Sequence, residues 1–148
     1  ISLGTGGNES KRIADPFESE LLRLVAKNPG TLWIDKGAGG EEAVRVDRAV
    51  VNSGISQNRV RTWEGSFAGF ADIIARSRLY VGYDSAGQHA AAALGVPLLS
   101  IFAGFPSLRM FQRWRPTGAG RIEIVRVDNP DPIVLLAQVE KSLDSLLP

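Results

Sequence analysis

Six consecutive residues, Asp84-Ser85-Ala86-Gly87-Gln88-His89, place a carboxylate, a hydroxyl, an amide and the chain's single imidazole around a small-residue turn. They follow the apolar run Leu79 to Gly82 and precede the alanine-rich stretch Ala90 to Leu94, so a strand hands over to a helix here. The first N–H groups of a helix have no partner inside it, and the helix dipole adds positive potential at the same place. The N–H groups of Ala86, Gly87 and Gln88 therefore suit an anion such as a phosphate. Gly87 would let it approach the backbone closely, Ser85 would add a hydroxyl donor, and His89 would offer a ring N–H one turn further in. A second reading needs no ligand. Ser85 as N-cap with Gln88 three positions later is a capping box, which would satisfy two of the same donors internally. Asp84 cuts both ways, because a carboxylate repels a diphosphate unless it faces sugar hydroxyls or a cation.

Such a corner needs a scaffold to hold it. Short apolar runs near Ile1 to Thr5, Thr31 to Asp35, Val60 to Trp63, Leu79 to Gly82, Pro97 to Phe102 and Arg121 to Val127 alternate with helix-length amphipathic runs. That rhythm predicts an α/β domain, a parallel six-stranded sheet covered by helices in a three-layer α/β/α arrangement. The first helix is expected behind an Asp15 cap, Pro16 and Glu18, the second after Gly39-Gly40, and the third from Phe67 to Ser77. The fourth is expected over Ala90 to Leu94, and the last from Pro132 to Leu146 behind Asp131. Val134, Leu135, Val139, Leu143 and Leu146 form the apolar stripe of that last helix. Two loops, Gly6 to Ala14 and Ala103 to Gly120, are longer than this fold requires. Both leave strands at the carboxyl edge, where ligands bind such sheets.

Composition narrows the chemistry further. At 148 residues and 44% apolar content the chain can bury the core of one domain. It has no cysteine and one histidine, so disulfides and thiolate metal sites are out and an all-protein zinc site is improbable. A net charge of +1 gives no global field for nucleic acid or anionic membrane, so any anion must be held locally. No apolar run reaches membrane-spanning length. The chain opens on Ile1 inside a strand-like run, which reads as an excised part of a longer protein.

The run from Leu79 through Asp84-Ser-Ala-Gly-Gln-His89, the alanine helix, Gly95, Pro97 and Phe102 to Gly104 resembles the strongest motif of glycosyltransferase family 9, the ADP-heptose:lipopolysaccharide heptosyltransferases. The family's glycine falls at Ala86, with a glycine displaced to Gly87, and alanine would cost ~1 kcal/mol there if the position required a positive φ. The resemblance implies the C-terminal, Rossmann-like half of a GT-B enzyme that binds the donor. The enzyme would be bacterial and cytoplasmic, meeting the inner membrane through the other half. It implies an inverting, metal-independent transfer of a sugar from a nucleoside diphosphate to a glycan or glycolipid acceptor, with no cofactor. The catalytic base is expected in the N-terminal half, outside this chain.

Further site residues come with the resemblance. Thr5-Gly-Gly-Asn-Glu-Ser-Lys11 is similar to the family's glycine-rich loop, with Lys11 as the phosphate clamp and Thr5 as a hydroxyl donor. Trp63-Glu64-Gly65 falls where such folds approach the nucleobase, although base rates favour Trp63 as half-buried core. Lys36 to Gly40 resembles a family loop without a fixed chemical role. In Arg109 to Pro116, Arg113 or Arg115 would face donor phosphate or the other half, and nucleic-acid binding would want a broader basic face. A nicotinamide-cofactor domain, suggested by Gly4-Thr-Gly6 and Asp35, fails on spacing, because its third glycine falls on Glu9. A non-catalytic nucleotide-binding module and a nucleotide-sugar epimerase-type domain remain as alternatives.

Overall fold

In a computed structural model, which describes residues 1–37 and 39–147, the predicted alternation is present throughout. Ala38, within the Lys36 to Gly40 loop, and Pro148 lie outside the described residues. The strands are β1 (Leu32–Asp35), β2 (Val60–Trp63), β3 (Tyr80–Tyr83), β4 (Leu98–Phe102) and β5 (Ile122–Arg126). The helices are α1 (Phe17–Ala26), α2 (Gly40–Ser53), α3 (Phe67–Ala75), α4 (Ala86–Ala93), α5 (Leu108–Trp114) and α6 (Pro132–Leu146).

All pairings are parallel. β1 pairs with β2, and β3, β4 and β5 form a second ladder in that order. The expected first strand is reduced to one residue: Ser2 bridges Asp35 on one side and Gly82 on the other. Its N–H donates to Val81 O at 3.0 Å and its carbonyl accepts from Tyr83 N at 3.3 Å, while Ile1 O accepts from Asp35 N at 2.9 Å. The ladder stops there because the next carbonyl, that of Leu3, accepts from Arg45 Nη2 at 2.8 Å instead of from a strand. The spatial order is thus β2-β1-Ser2-β3-β4-β5, with its topological switch between the Ser2 segment and β3.

Side chains alternate across this sheet as its pleat requires. Val81, Tyr83, Leu99 and Ile101 face α1, α2 and α6 in the larger core, with Phe17, Leu21, Leu22, Val46, Leu135, Val139 and Leu143. Tyr80 and Leu98 face α3 and α4, with Phe70, Ile74, Ala91 and Ala92. β3 and β4 are buried along their whole length, as expected of central strands covered on both faces. Among the described residues no helix is long and apolar enough to cross a membrane.

Several helix starts differ from expectation. α1 begins at Phe17 without a side-chain cap: Asp15 pairs with Arg12 at 2.9 Å, and Glu18 is buried against Arg45 rather than turned back to the chain. α4 begins at Ala86, four residues before the predicted start. α5 lies in a segment expected to be loop, and it starts where Ser107 Oγ accepts from Met110 N at 3.2 Å. α6 matches its prediction, with Asp131 Oδ1 accepting from Ile133 N at 2.8 Å and Val134 N at 3.2 Å. Val134 itself is exposed.

Candidate functional site

Three loops meet at the carboxyl edge beside the switch point. The first turns through Gly6 and Gly7, both at positive φ, into a 3-10 turn over Glu9–Lys11. The second is Asp84-Ser85 between β3 and α4, and the third runs from Ala103 to Ser107 between β4 and α5. Gly104 locks the first and third together. Its φ is +66°, and a Cβ there would lie 2.6 Å from the Ser10 carbonyl group, so only glycine allows this approach.

Between these loops lies a cavity of about 660 Å³ with two unlike walls. Lys11, Asp84, Ser85, Ala86 and His89 supply the polar wall, and Phe102, Phe105, Pro106, Met110 and Trp114 the apolar one. Lys11 Nζ donates to the Asp84 carbonyl at 2.8 Å and lies 3.0 Å from Asp84 Oδ2. This cation answers the repulsion that a bare carboxylate would present to a diphosphate. Gln88 Nε2 donates to Asp84 Oδ1, and Ser100 Oγ donates to Gln88 Oε1.

The capping box is not formed. Ser85 occupies the N-cap in extended backbone but makes no side-chain cap, and the Gln88 amide is turned to Asp84 and Ser100 instead of back to the chain. Of the three N–H groups expected to be free, that of Gln88 donates to the Ser85 carbonyl at 3.3 Å, which leaves those of Ala86 and Gly87 as the open donors of the helix start. Ala86 needs no positive φ, since no residue other than glycine has one among the described residues, and its exposed side chain lines the cavity. The strain anticipated for alanine is absent.

Of the predicted residues, the structure gathers Lys11, Asp84, Ser85, Ala86 and His89 around one cavity. His89 is exposed there, with Nε2 3.4 Å from Gln88 Nε2. Gly87 and Thr5 are placed otherwise. Gly87 is buried, and a Cβ on it would lie 2.3 Å from Tyr80 Oη, so its missing side chain admits a tyrosine ring rather than a ligand. Thr5 is 1% exposed beneath its own turn, its carbonyl accepting from Asn8 N at 3.2 Å, and Gly6 and Asn8 reach the cavity instead. Trp63, Glu64 and Gly65 do not line this cavity. Trp63 is half-buried over Gly65 and Gly69, its Nε1 donating to Ser66 O at 3.3 Å, and Glu64 lies 3.5 Å from Lys36 Nζ. Arg113 and Arg115 are exposed outside it.

Sequence reasoning passed over the apolar wall. Met110 and Trp114 stand four positions apart on α5, and Ser107 caps it, so an i,i+4 pair behind an N-cap was the available signal. Phe102, Phe105 and Phe111 pack together with ring centroids 5.0 to 5.8 Å apart, and Arg126 lies 5.8 Å over the Phe111 ring, anchoring this short helix.

Behind the first loop sits a buried ion cluster. Glu18, 2% exposed, pairs with Arg45 and lies 3.8 Å from Arg12 Nε. Tyr83 Oη accepts from Ile13 N at 3.2 Å beside it. Burial pushes the Glu18 carboxyl above the usual carboxylate range, against the opposing pull of Arg45 and Arg12. Burial likewise raises both tyrosine hydroxyls, that of Tyr80 to about 12. Among the described residues no three acidic or histidine side chains are grouped to hold a metal.

Residues 64–130 match the sequence profile described as glycosyltransferase family 9 (heptosyltransferase). Among solved structures, the chain is similar to E. coli heptosyltransferase WaaC with ADP, at a TM-score of 0.76 and 17% identity over 98% of this chain and 43% of that one. It is also similar to E. coli ADP-heptose lps heptosyltransferase II, at 0.73 and 20% identity over 99% of this chain and 45% of that one. It spans less than half the length of either, and at these identities the likeness shows a shared fold. No curated protein matches the chain. The profile match contains the whole Asp84 to His89 corner, and over residues 64–130 the chain is similar to glycosyltransferase family 9.

Proposed function

We propose that this chain is the donor-binding half of an inverting, heptosyltransferase-like glycosyltransferase, taking a nucleoside diphosphate sugar at the Lys11–Asp84 corner. The observation that carries the reading is Lys11 Nζ, 2.8 Å from the Asp84 carbonyl, at the rim of a cavity that also receives the uncapped start of α4. A fixed ammonium and oriented N–H groups on one rim suit a diphosphate, and the same groups offset the charge that develops on the leaving oxygen. His89, on the same wall, is placed to donate a ring N–H to that oxygen. In this reading no metal is required, the nucleobase lies toward Trp63 to Gly65, and the other half of the enzyme supplies the acceptor site and the base. The acceptor is a glycan or glycolipid of the lipopolysaccharide type. The transfer takes place on the cytoplasmic side of the inner membrane.

Calorimetry of the 148-residue chain against ADP, UDP, GDP and NAD tests this. Binding of one or more nucleoside diphosphates is expected, unchanged by EDTA. Lys11→Met should weaken it 10- to 100-fold, since a hydrogen bond to a charged group contributes roughly 1.5–3 kcal/mol. His89→Ala should weaken it less. Binding of NAD alone, or of no nucleotide, would refute the proposal.

A further inference from the structure

The Asp84 carboxylate is fixed from behind by two side chains with no assigned role. Gln88 and Ser100 are both 0% exposed, and Gln88 is the buried polar side chain of a helix otherwise made of alanine, glycine and the exposed His89. A carboxylate only accepts hydrogen bonds, so the amide must present Nε2 to Asp84 and Oε1 to the Ser100 hydroxyl. The chain of donors therefore runs one way, from Ser100 on β4 through Gln88 on α4 to Asp84 at the end of β3. Asp84 Oδ1 is occupied by Gln88 and Oδ2 by Lys11 before any ligand arrives.

An apolar side chain could fill the place of Gln88 without needing partners, and a buried amide is tolerated only when its groups are matched. Here the matching ends on the one carboxylate that meets the cavity's cation. Resting on the donor reading above, we infer that Gln88 and Ser100 are positioning residues. They hold Asp84 in the rotamer that presents Lys11 to the donor diphosphate, so that Asp84 acts on the ligand through Lys11 and not by direct contact with a hydroxyl. The relay selects for the diphosphate, the part of the donor that Lys11 touches.

The test is a double-mutant cycle on the 148-residue chain, with ADP as the probe. Gln88→Leu should weaken ADP binding about 5- to 10-fold and Ser100→Ala about 2- to 3-fold, on the scale of one lost hydrogen bond. In an Asp84→Ala background, Gln88→Leu should change the affinity less than about 2-fold, because its effect passes through Asp84. Equal losses in both backgrounds, or unchanged affinity of Gln88→Leu, would overturn the inference. A ligand-free measurement separates this from failure of the donor reading. The Lys11 ammonium, shielded by Asp84, should give a proton–nitrogen NMR signal in the wild-type chain and lose it to solvent exchange in Gln88→Leu. Persistence of that signal would sink the relay even if no nucleotide bound.

Discussion

Replacing Gly87 by alanine should destabilise the domain without touching the ligand cavity. The new Cβ would lie 2.3 Å from Tyr80 Oη, 2.8 Å from Cζ and 2.9 Å from Cε2. Tyr80 is 1% exposed, and a Cβ on Gly82 would meet the same hydroxyl at 2.8 Å, so two glycines make room for the ring. Overpacking of this kind costs about 1–3 kcal/mol. Alanine recovers up to ~1 kcal/mol of helix propensity, less at a helix start. The expected net loss is about 1–2 kcal/mol, a fall in Tm of roughly 3–8 °C for a chain of this size. Urea titration followed by far-ultraviolet circular dichroism reads it. Tyr80→Phe removes the nearest clashing atom and a buried hydroxyl that has no hydrogen-bond partner. That single variant should be neutral or stabilising, and the double variant should regain at least half of the loss. Because the added methyl points at Tyr80, the affinity of the folded variant for ADP should stay within about 3-fold. A Gly87→Ala chain as stable as wild type, but deaf to nucleotide, would refute the packing argument and restore Gly87 to the ligand.

Neither tyrosine should ionise in the folded state near pH 10, so ultraviolet absorbance should show tyrosinate only as the chain unfolds. The Tyr80 hydroxyl is raised to about 12, above its unfolded value near 10. The stability tied to it is complete below pH 10 and is lost as pH climbs toward 12, on the order of 2–3 kcal/mol. A normal titration at pH 10 with native circular dichroism would contradict this. At the ion cluster, Arg45→Met would strand a buried Glu18 and the Leu3 carbonyl together, and should cost about 3–5 kcal/mol in urea unfolding. Glu18→Gln keeps a hydrogen-bond acceptor for Arg45 and should cost far less. Glu18 is raised by burial, so its contribution is largest at low pH and falls as pH rises through the folded value. Glu18→Gln should flatten that part of the pH–stability curve.

The strand and helix rhythm was legible because β3 and β4 read as continuous apolar runs and α6 carries Asp131 and a regular stripe. So was the arrival of the Lys11 loop and the Asp84 corner at one sheet edge, although the ion pair between these two side chains was not read from the sequence. What stayed hidden depends on distant partners. Local spacing makes Ser85 and Gln88 a capping box, but Ser100 and Asp84 outbid the helix backbone for the Gln88 amide. Likewise Asp15 and Glu18 have capping spacing, yet Arg12 and Arg45 claim them, the latter from 27 positions away. Gly87 suggested an open backbone because nothing local announces the Tyr80 ring behind it. α5 escaped notice since its apolar residues are exposed to the cavity and surface, leaving no buried stripe to read.

The single Ser2 rung has a dynamic consequence. β2-β1 and β3-β4-β5 are joined in the sheet by the hydrogen bonds of Ile1, Ser2, Asp35 and Tyr83. A seam this narrow is the natural line for sub-global opening, and its amides should exchange before those between β3 and β4. Lys11 lies on the loop leaving the Ser2 segment, and the start of α4 follows β3 across the seam. A ligand held by both staples the two leaves of the sheet, so occupancy of the corner should slow exchange at Asp35 and Tyr83, neither of which lines the cavity.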